Sequence, residues 1–244
     1  MPDSPLLTPL QRLRDVQRRV RVAEQRFGRA PGSVLLLPVS KTRPAADIAM
    51  LADAGVGAFG ESYLQEAVDK IEALQARHLQ WHFVGPIQSN KTQSIARRFD
   101  WVHSVSREKI ARRLSEQRPA TLPPLNLCLQ LNVSGEHSKS GVTVAQLPVL
   151  ARQVAKLPRL RLRGLMAIPA RSADFEAQRA AFRRVREAAE ALAADGLALD
   201  TLSMGMSGDL EAAIAEGATV VRVGTDIFGP RPAVVNATIN LAMK

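Results

Sequence analysis

Short apolar runs alternate with amphipathic, capped segments along nearly all of this 244-residue chain, and that alternation constrains the fold more than any other feature. The apolar runs fall at 34–42, 57–60, 80–84, 101–104, 125–133, 160–166, 201–204 and 219–223. They are of strand length, rich in branched residues and bounded by Gly, Pro or polar clusters, as suits strands covered on both faces. Helix-period segments lie between them at 44–54, 62–76, 90–99, 106–118, 143–156, 173–194 and 209–216, with a further helix at each end, 8–27 and 234–243. About eight strands alternating with helices predicts a parallel sheet closed into a (β/α)₈ barrel. A doubly wound open sheet is the alternative, because a strand gained or lost changes the count. A barrel of this kind occupies about 250 residues, so a single domain over 1–244 is expected. No linker, low-complexity tract or internal repeat divides it.

The first helix opens on Thr8-Pro9-Leu10-Gln11, which combines a threonine N-cap, a proline in the first turn and glutamine at the capping-box position. Leu13, Val16, Val20, Ala23 and Phe27 recur on one face, and Gly28 ends the segment. Arg12, Arg18, Arg19 and Arg26 occupy the other face and read as solvated.

The net charge of +10 raises the question of nucleic acid. The excess is mostly arginine, scattered along helices without interleaved aromatic platforms, so it speaks for solubility and weak anion affinity rather than a named partner. Hydrophobic residues make up 46% of the chain, enough for a sizeable core and against disorder. The one cysteine, Cys128, excludes a disulfide framework and sits in an apolar run as a buried thiol. The N-terminal residues lack the charged and apolar regions of a signal peptide, and no run approaches a membrane span. A cytoplasmic location is the expectation.

Chemistry concentrates at three places. Lys41 stands at the carboxyl end of the first predicted strand, where parallel α/β folds set their ligand chemistry. A partly desolvated lysine has its ammonium form disfavoured, which frees the amine for a carbonyl carbon; by position alone the simpler reading is a strand-end residue facing water. Ser203-Met204-Gly205-Met206-Ser207-Gly208-Asp209 and Val221-Arg222-Val223-Gly224-Thr225 each leave a strand with glycine and a hydroxyl before a helix. In a barrel these are the loops after strands seven and eight, the recurring phosphate site of that fold. Strand one closes beside strand eight, which brings Lys41 to the same cradle. An amine facing a phosphate pocket suggests pyridoxal 5′-phosphate.

The residues also carry a resemblance. Val39-Ser40-Lys41-Thr42, Phe59-Gly60-Glu61, Trp81-His82-Phe83-Val84-Gly85-Pro86-Ile87-Gln88-Ser89-Asn90-Lys91, Ser138-Lys139-Ser140-Gly141, Arg163-Gly164-Leu165-Met166-Ala167-Ile168-Pro169, Met204-Gly205-Met206-Ser207 and Arg222-Val223-Gly224-Thr225-Asp226-Ile227-Phe228-Gly229 occur in order over nearly the whole chain. The chain resembles the pyridoxal phosphate homeostasis protein family. That resemblance implies one barrel of the alanine-racemase N-terminal type (fold-type III among pyridoxal phosphate proteins), without the racemase C-terminal β-domain. It implies a Schiff base at Lys41, phosphate contacts from Ser207, Gly224 and Thr225, and Arg222 facing the pyridine nitrogen. Asn90, His82 and Lys139 are further candidates for the pocket. Asn90 reads more simply as a helix cap, His82 as a polar wall residue, and Lys139 as either a second cofactor site or part of the mouth. Ser62 and Asp226 depart from the family pattern, and Asp226 is expected to point away from the phosphate.

Members of the family bind pyridoxal phosphate and supply it to apo-enzymes, with no robust catalysis attributed to them. A weak amino-acid racemase is the alternative. Racemases of the related fold take a tyrosine base from a second domain, which this chain is expected to lack, and Tyr63 is its only tyrosine. The missing domain also removes the usual dimer contact, so a monomer is expected. No metal, nucleic acid or membrane is implied.

Overall fold

The computed structural model describes residues 7–134 and 140–230. Eight strands run β1 (Leu35–Pro38), β2 (Ala58–Glu61), β3 (Gln80–Phe83), β4 (Trp101–Val105), β5 (Leu125–Leu131), β6 (Leu160–Ala167), β7 (Thr201–Ser203) and β8 (Val220–Val223). All pairings are parallel, in the order β1-β8-β7-β6-β5-β4-β3-β2. The open ends meet through a parallel bridge between Val39 and Gly60, where Ser40 N–H donates to the Gly60 carbonyl at 2.9 Å. The result is the expected barrel, and the doubly wound alternative is excluded.

Nine helices among the described residues surround it: α1 (Pro9–Arg26), α2 (Ala45–Asp53), α3 (Leu64–Ala73), α4 (Thr92–Arg98), α5 (Glu108–Gln117), α6 (Leu147–Ala155), α7 (Phe175–Ala194), α8 (Leu210–Ala215) and α9 (Thr225–Phe228). The capping box expected at Thr8 is present in both directions. Leu13, Val16, Val20 and Ala23 of α1 are buried, against α8 and α9. The helix anticipated over 234–243 lies outside the described residues.

Side chains alternate along each strand, and the two faces have different characters. Phe59, Trp81, Phe83, Val102, Leu127, Leu129, Leu165, Val221 and Val223 join the helices in one large core. The alternate positions form two small apolar clusters, Leu37–Ala58–Val220 and Trp101–Cys128–Met166. His82, His103, Ser203 and Arg222 share those alternate positions and are buried with them. Burial of hydrophobic side chains between strands and helices supplies the main driving force, each large one contributing about 1.5–3 kcal/mol. The barrel interior is therefore partly polar and depends on hydrogen bonding. Cys128 is fully buried and its thiol is pushed up to about 12 by burial, in keeping with an inert structural role.

Two glycines of the sequence motifs are places of close backbone approach. A Cβ added at Gly85 would lie 2.1 Å from the Ser62 carbonyl, and one at Gly164 would lie 1.7 Å from that of Thr201. Gly164 sits beside the register shift between β5 and β6. Gly164→Ala is expected to destabilise the protein by about 3 kcal/mol, lowering the thermal midpoint by roughly 6–12 °C. Gly57→Ala, where an added Cβ meets nothing within 4 Å, should change stability by no more than about 0.5 kcal/mol. Calorimetry of both variants checks the contrast, and equal midpoints would refute it.

Candidate functional site

β1 ends sooner than the sequence suggests. Val39 N–H still donates to the Val223 carbonyl at 2.9 Å, but past Ser40 the chain turns, with Arg43 N–H donating back to Ser40 at 3.0 Å. Thr42 adopts a left-handed φ of 64°. Lys41 thus sits half-buried in the turn rather than on the strand itself. The turn is held from β2 and α3. Ser40 Oγ donates to Glu61 at 2.7 Å, and Lys70 Nζ donates to the Ser40 carbonyl at 2.8 Å and to Glu61 at 2.7 Å. Thr42 N–H donates to Glu66 at 2.6 Å, and Glu66 also pairs with Lys70. Burial raises the Glu61 pKa, and the paired Lys70 opposes that rise. One charge cluster therefore fixes both neighbours of Lys41.

The two glycine-bearing loops are equally constrained. Gly205 has φ 93°, and a Cβ there would meet Ala213 at 2.5 Å. Its carbonyl accepts from Arg222 N–H at 2.9 Å. Asp209 folds back to accept from Met206 N–H at 2.5 Å. Across the seam, a Cβ on Gly224 would come within 3.3 Å of the Val39 carbonyl, so glycine lets β8 leave the barrel tight against the Lys41 turn. Ser207 Oγ accepts a long bond from Asp226 N–H at 3.4 Å, linking the loops. The Asp226 carboxylate, expected to point away, is engaged by Arg19 of α1 at 2.6 Å and is not among the cavity-lining residues. Arg19 consequently does not belong to a solvated face.

Arg222 projects into the barrel, where its guanidinium donates to Ser203 O at 2.5 Å, Ser203 Oγ at 2.7 Å and Ala167 O at 3.0 Å. Burial lowers its pKa to about 10, with Asp209 the first opposing influence, so it stays cationic at neutral pH. Ser203 Oγ meets His103 Nδ1 at 2.7 Å, His103 Nε2 meets His82 Nδ1 at 2.9 Å, and His82 Nε2 meets Gln80 Oε1 at 3.0 Å. Burial keeps both imidazoles neutral, and the Gln80 amide oxygen only accepts, which sets the direction of the line. His82 therefore donates to Gln80, His103 to His82, and Ser203 to His103, with the proton of each ring on Nε2. His82 also stacks on Trp101, ring centres 5.3 Å apart and 4° from parallel. Burial lowers the His82 pKa to about 3, and burial with the neighbouring His82 and Arg222 holds His103 well below its ordinary value.

A cavity of about 500 Å³ opens at the mouth, within the usual range for small-molecule sites. Lys41, Ser207, Arg222, Gly224 and Thr225 all line it, from opposite ends of the chain. His82 does not; it lies in the barrel interior, one hydrogen bond beyond His103. Asn90 is exposed in a short 3₁₀ turn, Ser89–Lys91, away from the cavity lining. No side-chain cap starts α4, so the expected capping role of Asn90 is corrected too: Thr92, not Asn90, closes the turn by donating to the Ser89 carbonyl at 2.9 Å. Lys139 lies outside the described residues. Sequence reasoning missed Arg171 and Gln178 at the rim, and the Glu61–Lys70 pair beneath Lys41. Only the Glu66–Lys70 part of that cluster had a local signal, the two standing one helical turn apart on α3.

A parallel barrel that gathers a lysine, a buried arginine and two glycine-bearing loops at one mouth is a small-molecule-binding α/β barrel of the kind that opens alanine racemases, and the family Alanine racemase, N-terminal domain, matches residues 12–232. Pyridoxal phosphate homeostasis proteins are similar over almost their full lengths. That of Pseudomonas aeruginosa is 62% identical across 88% of this chain and 93% of its own, and that of Escherichia coli K12 is 52% identical across 90% and 95%. The chain belongs to the pyridoxal phosphate homeostasis protein family. Among solved structures, PipY of Synechococcus elongatus with PLP bound superposes with a TM-score of 0.75 at 38% identity, covering 86% of this chain and 98% of that one. Alanine racemase from Corynebacterium glutamicum, at 20% identity and TM-score 0.63, covers 91% of this chain and 62% of that one and shares the fold.

The hydrogen-bond line makes a pH prediction. An unfolded histidine takes up a proton near pH 6.5, whereas His82 in the folded protein does so only near 3. Below about pH 6.5 the unfolded state binds more protons, so this contribution to stability is full above that pH and is lost as the pH falls toward 3. Nitrogen-15 NMR should show His82 and His103 as neutral Nε2–H tautomers without titration between pH 8 and 5. Titration of either ring near 6.5 would contradict the arrangement.

Proposed function

We propose that this chain, acting as one barrel domain and as a monomer in the cytoplasm, binds pyridoxal 5′-phosphate reversibly, buffers it and supplies it to apo-enzymes, with no robust catalysis of its own. The observation that carries this reading is the junction of Lys41 with two phosphate-sized loops over a buried arginine, in a chain whose relatives carry that name.

The residues present fit the group. Gly205 leaves no room for a Cβ against Ala213 and Gly224 little against Val39, which holds both loops tight on the barrel at the cavity. Bound pyridoxal phosphate supplies an aldehyde for reversible attachment to an amine and a conjugated ring that accepts electrons. Lys41, the lysine lining the cavity, would hold the group reversibly through its Nζ. Ser207 and Thr225 offer hydroxyls to the phosphate, and Gly224 offers close backbone. Arg222, buried at the base of the cavity, would face the ring nitrogen. A guanidinium has no acceptor, so it cannot receive a hydrogen bond from a protonated ring nitrogen. It therefore favours the unprotonated ring, the weaker electron sink, and suits holding the group more than driving carbanion chemistry.

The racemase reading needs a second proton carrier opposite Lys41. Among the described residues lining the cavity there is no tyrosine or histidine. Tyr63 is half exposed elsewhere. His82, with both ring nitrogens engaged and its pKa pushed down to about 3, takes up no proton near neutrality.

Purified protein mixed with pyridoxal phosphate should develop a visible absorbance band that borohydride removes, with the reduced adduct mapping to Lys41. Lys41→Ala should lose the band and hold the cofactor about a hundredfold less tightly, roughly 2.8 kcal/mol. Deuterium exchange at Cα and D/L interconversion of amino acids should stay at the level of free cofactor. Exchange well above that level would favour the enzyme, and an adduct on another lysine would move the site.

A further inference from the structure

Arg19 stands apart from the other arginines of α1. Its Nη2 donates to the Ser207 carbonyl at 2.9 Å and to Glu211 Oε2 at 3.1 Å, its Nε to Glu211 Oε1 at 2.8 Å, and its Nη1 to Asp226 Oδ2 at 2.6 Å. Ser207 belongs to the loop after β7, Glu211 to the first turn of α8, and Asp226 to α9 just after β8. One guanidinium from outside the barrel therefore ties together the two loops that line the cavity.

The charges point the same way. Asp226 and Glu211 place two carboxylates behind loops read as holding a phosphate, whose sign both would repel. Arg19 lies between them and pairs with both. Arg19, Glu211 and Asp226 side chains are 36%, 36% and 34% exposed, so solvent screens their fields only in part. The bonds to Glu211 come first among the influences that hold Arg19 charged. Neither Arg19 nor Asp226 lines the cavity; Ser207 and Thr225, their partner and neighbour, do.

We propose that Arg19 is a positioning residue for the phosphate. It cancels the Asp226 carboxylate behind the two loops that it touches, so that the site favours pyridoxal phosphate over pyridoxal. The inference rests on the reading of the cavity as a pyridoxal phosphate site.

Absorbance titrations with pyridoxal phosphate and with pyridoxal test it, using the wild type, Arg19→Gln, Arg19→Lys, Asp226→Ala and the Arg19→Gln/Asp226→Ala double variant. Arg19→Gln should weaken pyridoxal phosphate about tenfold while leaving pyridoxal within about twofold. Arg19→Lys should fall between the two, Asp226→Ala should not weaken the phosphate ligand, and the double variant should recover most of the loss. Equal weakening of both ligands, no weakening of either, or no recovery in the double variant would overturn the role of Arg19. A wild type that takes up neither ligand would instead overturn the reading of the cavity, and the inference with it.

Discussion

Everything at the mouth depends on how the barrel closes. Val39, the residue just past β1, pairs on both sides, with Val223 of β8 through its N–H and with Gly60 of β2 through a bridge. The β1–β8 pairing sets Lys41 beside the loops after β7 and β8, and the bridge to Gly60 closes the sheet on the other side of β1. Gly224 lets β8 and the Val39 turn lie close, since a Cβ there would already be 3.3 Å from the Val39 carbonyl. Parallel pairing puts all the strand ends that matter on one face, and the loops there are free to carry chemistry because the strands beneath them carry stability.

Two buried charge systems then make the mouth rigid in different ways. Under Lys41, the Glu61–Lys70 pair costs desolvation and is repaid by hydrogen bonds to Ser40, which suits an element whose task is position more than net stability. Under Arg222, the barrel interior is a one-way line of hydrogen bonds ending on Gln80. Each neutral imidazole accepts on one nitrogen and donates on the other, so a cation can be held in the interior by groups that carry no compensating charge. The guanidinium is thereby restrained from below while its remaining surface meets the cavity.

Much of this was legible in the sequence because it is local. Strand-length runs such as 125–133, the capping box at Thr8 and the Gly-hydroxyl turns at 205–207 and 224–225 announce themselves within a few residues, and barrel topology then brings Lys41 to them. What the sequence conceals depends on register and on partners far along the chain. Arg19 reads as one of several solvent-facing arginines, because its acceptors lie about a whole barrel away at Ser207, Glu211 and Asp226. His103 and Ser203 read as ordinary strand residues, because only closure of the barrel brings β4 and β7 face to face across the interior. The strand end at Lys41 was overextended for a related reason: Ser40 and Thr42 give their backbone groups to Lys70 and Glu66 of α3, which a hydropathy run does not reveal. Asn90 looks like a cap in sequence, and the 3₁₀ turn that precedes α4 removes the need for one.

The central claim is that one cavity, closed by the β1–β8 seam, takes the whole cofactor between Lys41 and the two loops. A crystal structure of the protein grown with pyridoxal phosphate tests it most directly. The account predicts continuous density from Lys41 Nζ to the ring, the phosphate between Ser207 and Gly224–Thr225, and the ring nitrogen against Arg222. A cofactor whose phosphate lies away from both loops, or whose ring nitrogen faces another residue, would contradict it.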